Sequence, residues 1–380
     1  MTAFIIALVY IMALVVSVFI VAVLATTVWN IFKTRHEEEA APDSPLARHQ
    51  HNPIMEPDCT NVWEADAVFN PAAFFYRGRT HLFYRALGPE GASRVGYASS
   101  EDGVCFTQRL KHPVFTYYNR NVQPYPYFMR RYRPDLYSSG GGWGGCEDPR
   151  AVVIDERIYL TFSAFDGWDS MRIGITSLPL SHFTRKWWNW SAPLYLSPEH
   201  EVHKNWVLFP EKINGQFALM TSITPEIHIA YADTIEDFAK NPPQSTFTQK
   251  KNWGHWEERV RGAGPPPIKT DAGWLVLYHA HDKDSPDRYQ LGAMLLDLHN
   301  PTKVIARAPA PILHPTSWYE NEGKPGVVYA TGAVVRDDLL YIYYGGADRV
   351  VCVAHTPLDE LIAFITHQKK PAVTTQPMLR

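Results

Sequence analysis

No excess of charge of either sign and no dense set of cysteines marks this chain of 380 residues. Its 36 Lys and Arg against 39 Asp and Glu leave a formal net charge of -3. The longest basic cluster, Arg130, Arg131 and Arg133, is interrupted by Tyr132. That balance lacks the basic field that holds a polyphosphate backbone, so nucleic acid is excluded as a partner. The cysteines, Cys59, Cys105, Cys146 and Cys352, form no CxxC pair and suggest neither a zinc site nor a disulfide framework. His51, His203, His255, His279 and His281 show no HExxH or regular ligand spacing. No metal and no other cofactor is expected. The glycine run Gly140, Gly141, Gly142, Gly144, Gly145 is followed by no GK[ST], which excludes a P-loop and leaves a flexible lip beside Asp148.

Charged side chains are also missing from Thr2 to Phe32, where Val, Ile, Leu and Ala dominate. A bilayer core needs roughly 20 apolar residues in a helix, so this run predicts one uncleaved transmembrane helix, with residues 1–35 as a single-pass membrane anchor. Lys33 and Arg35 follow the run, and by the positive-inside rule they place the large domain in the cytoplasm. Residues 36–57, polar and proline-bearing, read as a stalk. Residues 58–365 then form the main domain, and 366–380 a tail.

What the chain has in quantity is aromatic: 12 Trp, 20 Tyr and 18 Phe. Flat faces of this kind stack on sugar rings as readily as they fill β-sheet cores. They recur in a repeated order of apolar strand, polar turn, aromatic-rich strand and a third short strand. The units open at AVFNPAAFFYRGRTHLFYRA (from Ala67), RAVVIDERIYLTFSAFD (from Arg150), VLFPEKINGQFALMTSI (from Val207), PPPIKTDAGWLVLYHAHD (from Pro265) and ATGAVVRDDLLYIYYGGAD (from Ala330). Hairpin turns fall at Arg77-Gly78, Asp155-Glu156, Asn214-Gly215, Asp271-Ala272-Gly273 and Asp337-Asp338. Five such units predict an all-β, five-bladed β-propeller behind the membrane helix.

Propellers bind ligands where the inner strands meet the channel mouth, and polar residues recur at those blade positions. They are Asn70, Arg85, Glu147, Asp148, Arg150, Lys204, Asn205, Tyr278, His279 and Asp348. Glycosidic cleavage needs a proton donor for the leaving oxygen. Asp148, framed by Glu147 and Pro149 with Arg150 beside it, is the candidate. Lys204, Arg259, Arg261 and a protonated or hydrogen-bonding His279, with Asn205, are candidates to hold phosphate. Glu257 and Glu258 are candidates to activate water instead, and spacing alone leaves phosphorolysis and hydrolysis both open.

Seven ordered motifs carry a resemblance: AVFNPAA (Ala67 to Ala73), FYRA (Phe83 to Ala86), EDPR (Glu147 to Arg150), KNWVLFPEKI (Lys204 to Ile213), GAGPPPIKT (Gly262 to Thr270), GWLVLYHA (Gly273 to Ala280) and YYGGAD (Tyr343 to Asp348). Through them, residues from about Asn52 to Leu361 resemble the glycoside-hydrolase family of β-mannoside phosphorylases, which also holds β-mannosidases, and the related mannosyltransferase/phosphorylases of eukaryotic parasites. The resemblance implies a five-bladed propeller acting with inversion on β-mannoside oligosaccharides. It implies Asp148 as proton donor through a hydroxyl of the bound mannose, Asn70, Arg85 and Asp348 in the mannose subsite, and His279, Lys204 and Asn205 by the phosphate. The partners it implies are phosphate, mannose 1-phosphate or a nucleotide-linked mannose. Three departures stand out. Lys204 occupies a position where phosphorylases carry arginine, Thr221 to Thr224 replaces an expected arginine, and Val260 replaces an expected lysine between Arg259 and Arg261.

Overall fold

The computed structural model describes residues 44–117, 144–165, 171–244, 256–257, 259–282 and 287–367. A two-residue strand, β1 (Ala47–Arg48), precedes the first repeat. Blade I is β2 (Ala67–Tyr76), β3 (Arg79–Leu87), β4 (Ala92–Ser100) and the short β5 (Gln108–Arg109). Blade II is β6 (Gly144–Ile154), β7 (Arg157–Phe165), β8 (Met171–Pro179) and, after helix α1 (Leu180–Thr184), β9 (Leu194–Tyr195). Blade III is β10 (Val207–Leu208), β11 (Phe217–Ser222) and β12 (His228–Ala232), followed by helix α2 (Ile235–Lys240). Blade IV is β13 (Arg259–Ala263), β14 (Ile268–Thr270), β15 (Gly273–His281), β16 (Tyr289–Leu296) and β17 (Val304–Arg307). Blade V is β18 (Val328–Arg336), β19 (Leu339–Gly346) and β20 (Val350–Pro357), with helix α3 (Leu358–His367) after it.

The hairpin dipeptides do what their composition predicts. Arg77-Gly78, Asp155-Glu156, Asn214-Gly215 and Asp337-Asp338 all have positive φ at both positions, as a turn matched to the right-handed strand twist requires. Strands buried on both faces need an apolar neighbour on each side, and the ring supplies one. Phe83 and Tyr97 of blade I pack with Ile158 and Leu160 of blade II. Ile175 of blade II packs with Leu208 and Leu219 of blade III. Val207 and Met220 meet Trp274 and Val276 of blade IV. Leu277 and Leu291 meet Ile342 and Tyr344 of blade V, and Tyr343 and Val351 return to Val68 and Leu82 of blade I. Five interfaces, each shared by consecutive blades and the last returning to the first, make a closed five-bladed ring.

The closure uses residues read as a stalk. β1 pairs with β20, Ala47 opposite His355 and Arg48 opposite Ala354. Arg48 binds the buried Glu320 through Nε at 2.7 Å and Nη2 at 3.0 Å. Asn52 donates to the carbonyl of Val353 and accepts from its amide, both at 2.8 Å. The domain therefore takes in Ser44 to Pro57 as well, because a last blade without an outer strand would expose an unpaired edge.

A second expectation is corrected. Among the described residues no helix is long and apolar enough to cross a membrane, and residues 2–32 lie outside the described residues. An apolar run establishes length and hydropathy but not insertion. The fold is accordingly all-β, and the transmembrane helix, the membrane partner and the single-pass localisation with a cytoplasmic domain are withdrawn.

Candidate active site

The inner strands break their ladders where the polar residues stand. Register slips between Phe69 and Ala72 in β2 and between Glu147 and Arg150 in β6. At these points Asn70 (φ 44°) and Asp148 (φ 49°) adopt the left-handed conformation, as does Asn205 (φ 65°) just ahead of β10. Asn and Asp tolerate that region best among residues with a Cβ, and a bulge re-aims the bulged side chain. Pro71 and Pro149 follow, placed where the ladder needs no N–H. Asp348 is placed differently, in the Ala347-Asp348 turn between β19 and β20, with φ of 52° at both residues.

These breaks bring Asn70, Arg85, Glu147 and Asp148 into one buried knot. Arg85 donates from Nη1 to Asp148 Oδ1 (3.0 Å), from Nη2 to Glu147 Oε1 (2.8 Å) and from Nε to Ser93 Oγ (3.0 Å). Its guanidinium lies 4.6 Å from the centre of the Phe69 ring. Asn70 Nδ2 donates to Asp148 Oδ1 at 2.7 Å. Burial pushes the Asp148 pKa up, but Arg85 first, then Lys204 and Arg150, with the Asn70 amide, outweigh it and hold the carboxyl below its ordinary range. Lys204 Nζ lies 3.4 Å from Glu147 Oε2.

Arg150 turns toward blades III and IV. It donates to the carbonyls of Asp148 (2.7 Å) and Gly264 (2.9 Å) and to Asn205 Oδ1 (2.8 Å). An open cleft beside it is lined by Lys204, Asn205, Arg261 and the hydroxyl-bearing Thr221, Ser222 and Thr224. His279 is fully buried and stacked on Tyr329, ring centres 3.9 Å apart. Burial first, then Arg150, lowers its pKa to about 3, which favours the neutral, hydrogen-bonding form of the two considered above. Asp348 pairs with Lys324 at 3.2 Å.

Three expected residues stand apart from this cluster. Tyr278 faces the blade III side, where its hydroxyl bonds Glu257 Oε1 and its ring stacks under Trp256. Adjacent strand residues point to opposite faces, so Tyr278 and His279 cannot share one. Glu257 is engaged there with Tyr278 and, at 3.3 Å, with Arg307; Glu258 lies outside the described residues. Arg259 sits at the exposed end of β13 opposite His281 and is not among the residues lining the cleft. Gly144 and Gly145, expected in a flexible lip, instead pair parallel to Ala92 and Ser93; residues 140–143 lie outside the described residues. Ser93, Tyr329 and Lys324 escaped the sequence reading. Tyr329 alone left a signal, since it stands near the start of the fifth inner strand.

The chain matches the β-1,4-mannooligosaccharide phosphorylase family over residues 42–367. It is 39% identical over 327 residues to a 1,2-β-oligomannan phosphorylase of a Thermoanaerobacter species, covering 83% of this chain and 98% of the relative. It is 35% identical over 328 residues to a β-1,2-mannobiose phosphorylase of the same organism, covering 81% and 96%. The solved structure of β-1,2-mannobiose phosphorylase from Listeria innocua, in complex with β-1,2-mannobiose, shares the fold. Its TM-score is 0.62 at 24% identity, over 84% of this chain and 99% of that one. A ring of five blades, a buried carboxylate knot at its inner strands and a family match over nearly the whole described domain agree: the chain belongs to glycoside hydrolase family 130, the β-mannooligosaccharide phosphorylases, and is an enzyme of the glycoside phosphorylase class.

Proposed function

We propose that the protein catalyses reversible, inverting phosphorolysis of β-mannosides, releasing mannose 1-phosphate, with Asp148 as the acid. The observation that carries this reading is the adjacency of two unlike regions. A carboxylate knot (Asn70, Arg85, Glu147, Asp148) lies beside a cleft whose charged lining is cationic, Lys204 and Arg261, with Asn205 between them. Mannose occupies the first with Asp348 at its edge. Phosphate occupies the second and attacks C1 from the face opposite the leaving oxygen, which takes a proton derived from Asp148 through a mannose hydroxyl. Arg85, Lys204 and Arg150 favour the ionised form of Asp148. A phosphate dianion beside Lys204 cancels part of that field and raises the carboxyl's proton affinity as the acid is needed.

The two relatives named for β-1,2-linked substrates, at 39% and 35% identity, favour a β-1,2-linked mannooligosaccharide. Hydrolysis is disfavoured because Glu257, one candidate base, is engaged with Tyr278 and Arg307. The test follows mannose 1-phosphate by NMR as phosphate is raised from zero, with β-1,2- and β-1,4-mannobiose as substrates. Formation of the α-anomer only when phosphate is present, and its loss in Asp148→Asn, is expected. Free mannose at the same rate without phosphate would refute the reading, and activity only with a nucleotide-linked mannose would replace it.

A further inference from the structure

Asn205 is held by an arrangement that leaves its amide only one free donor. Its Oδ1 accepts two hydrogen bonds, from Arg150 Nη2 at 2.8 Å and from the Tyr329 hydroxyl at 2.7 Å. Its Nδ2 donates to the carbonyl of Arg261 at 2.8 Å. A carboxamide oxygen offers two lone pairs and its nitrogen two hydrogens, so the oxygen is fully used and one N–H remains. Flipping the amide would set its NH2 against the Arg150 guanidinium and its oxygen against the Arg261 carbonyl. The remaining N–H belongs to a residue that lines the cationic cleft with Lys204 and Arg261.

Tyr329 does a second thing. Its ring lies parallel to that of His279, 3.9 Å between centres and 7° apart in plane. The tyrosine is buried, and burial first, then the Asp148 charge, pushes its pKa up, so the hydroxyl stays protonated and donating. It also meets the Tyr289 ring edge to face at 5.5 Å, and Tyr289 lies 5.3 Å from the Lys324 ammonium that pairs with Asp348.

We propose that Tyr329 is the positioning residue of the anion side of the site, aiming Asn205 through its hydroxyl and His279 through its ring. The proposal rests on the phosphorolytic reading above. It predicts that phosphate, and mannose 1-phosphate in the reverse direction, are the ligands that depend on Tyr329, while the mannoside does not.

The experiment compares full-length wild type, Tyr329→Phe and Tyr329→Leu in steady-state phosphorolysis, with phosphate and β-1,2-mannobiose varied independently. Tyr329→Phe removes one neutral hydrogen bond and keeps the ring. KM for phosphate should rise three- to tenfold, with KM for the mannoside and kcat at saturating phosphate within about twofold. Synthesis should show the same rise in KM for mannose 1-phosphate. Tyr329→Leu, which also frees His279, should raise KM for phosphate further. If Tyr329→Phe raises both KM values alike, or leaves the phosphate KM unchanged, the proposal is overturned. If wild type turns over without phosphate, the phosphorolytic reading itself has failed, a result visible before any variant is made. Should Tyr329→Leu not fold, the Tyr329→Phe comparison decides alone.

Discussion

Arg85→Met tests the buried knot most directly. The guanidinium is 1% exposed and binds two carboxylates that are themselves buried, at 2.8 and 3.0 Å. Methionine fills much of the volume and preserves contact with Phe69, so the loss is chiefly electrostatic. Removing one partner of a buried ion pair costs about 3–5 kcal/mol because the other charge is left uncompensated. With two carboxylates on one arginine, the upper half of that range is expected at pH 7. The sign with pH follows from Asp148. In wild type its folded pKa lies below the unfolded value near 4, so its contribution is fully present above about pH 4 and is lost as pH falls through the folded pKa. Without Arg85, the largest of the effects opposing burial is gone, Lys204, Arg150 and the Asn70 amide remain, and the folded pKa rises. The variant's deficit should therefore be largest near neutrality and narrow as pH falls below the variant's own Asp148 pKa. Urea unfolding of both proteins by circular dichroism at pH 7.5, 6 and 4 measures it. A deficit under about 1 kcal/mol at pH 7.5, or one that grows as pH falls from 7.5 to 4, would refute the knot as described.

Glu257→Gln should keep phosphorolysis within about threefold of wild type, since glutamine still accepts from Tyr278; loss of all turnover would make Glu257 a catalytic base after all. Gly145→Ala should lower the midpoint of thermal unfolding and the activity together. Gly145 has φ of 95°, and a Cβ there would lie 2.2 Å from the Ser93 carbonyl, three residues before Asp148. Arg48→Ala should destabilise the fold by about 3 kcal/mol, because Glu320 is wholly buried and loses its ion-pair partner. An unfolding midpoint in urea equal to wild type would count against β1 as a structural strand.

The blades were legible because their hairpins need residues that accept positive φ, and Asn, Asp and Gly stand there at regular intervals. Asn70, Asp148 and Asn205 were legible for the same reason seen from the other end of the strand, as turn-type residues where a strand should begin. The roles of Tyr329 and Lys324 were not, since each reaches its partner through tertiary proximity, Tyr329 being 124 positions from Asn205; Ser93 meets Arg85 across the β3–β4 hairpin, but nothing in its residue type marks it. Tyr278 and His279 were chosen together without regard to strand alternation, which places them on opposite faces of β15. β1 could not be read at all, because two residues carry no periodicity, and the polar composition around them suits a tether as well as an edge. The apolar run of residues 2–32 gave hydropathy and length, and neither decides where a segment resides.

The first and last strands of the ring lie side by side in one blade, so the molecule is fastened like a belt whose buckle is the β1–β20 pair. Engineering at the amino end is therefore engineering of the buckle. A shortened protein begun at Asp58, the natural choice if the preceding residues only tethered the domain, would leave β20 with a bare edge and Glu320 without Arg48. Such a fragment would invite strand exchange between molecules, each lending the other the edge it lacks. Fusions and truncations should keep everything from Ser44 onward.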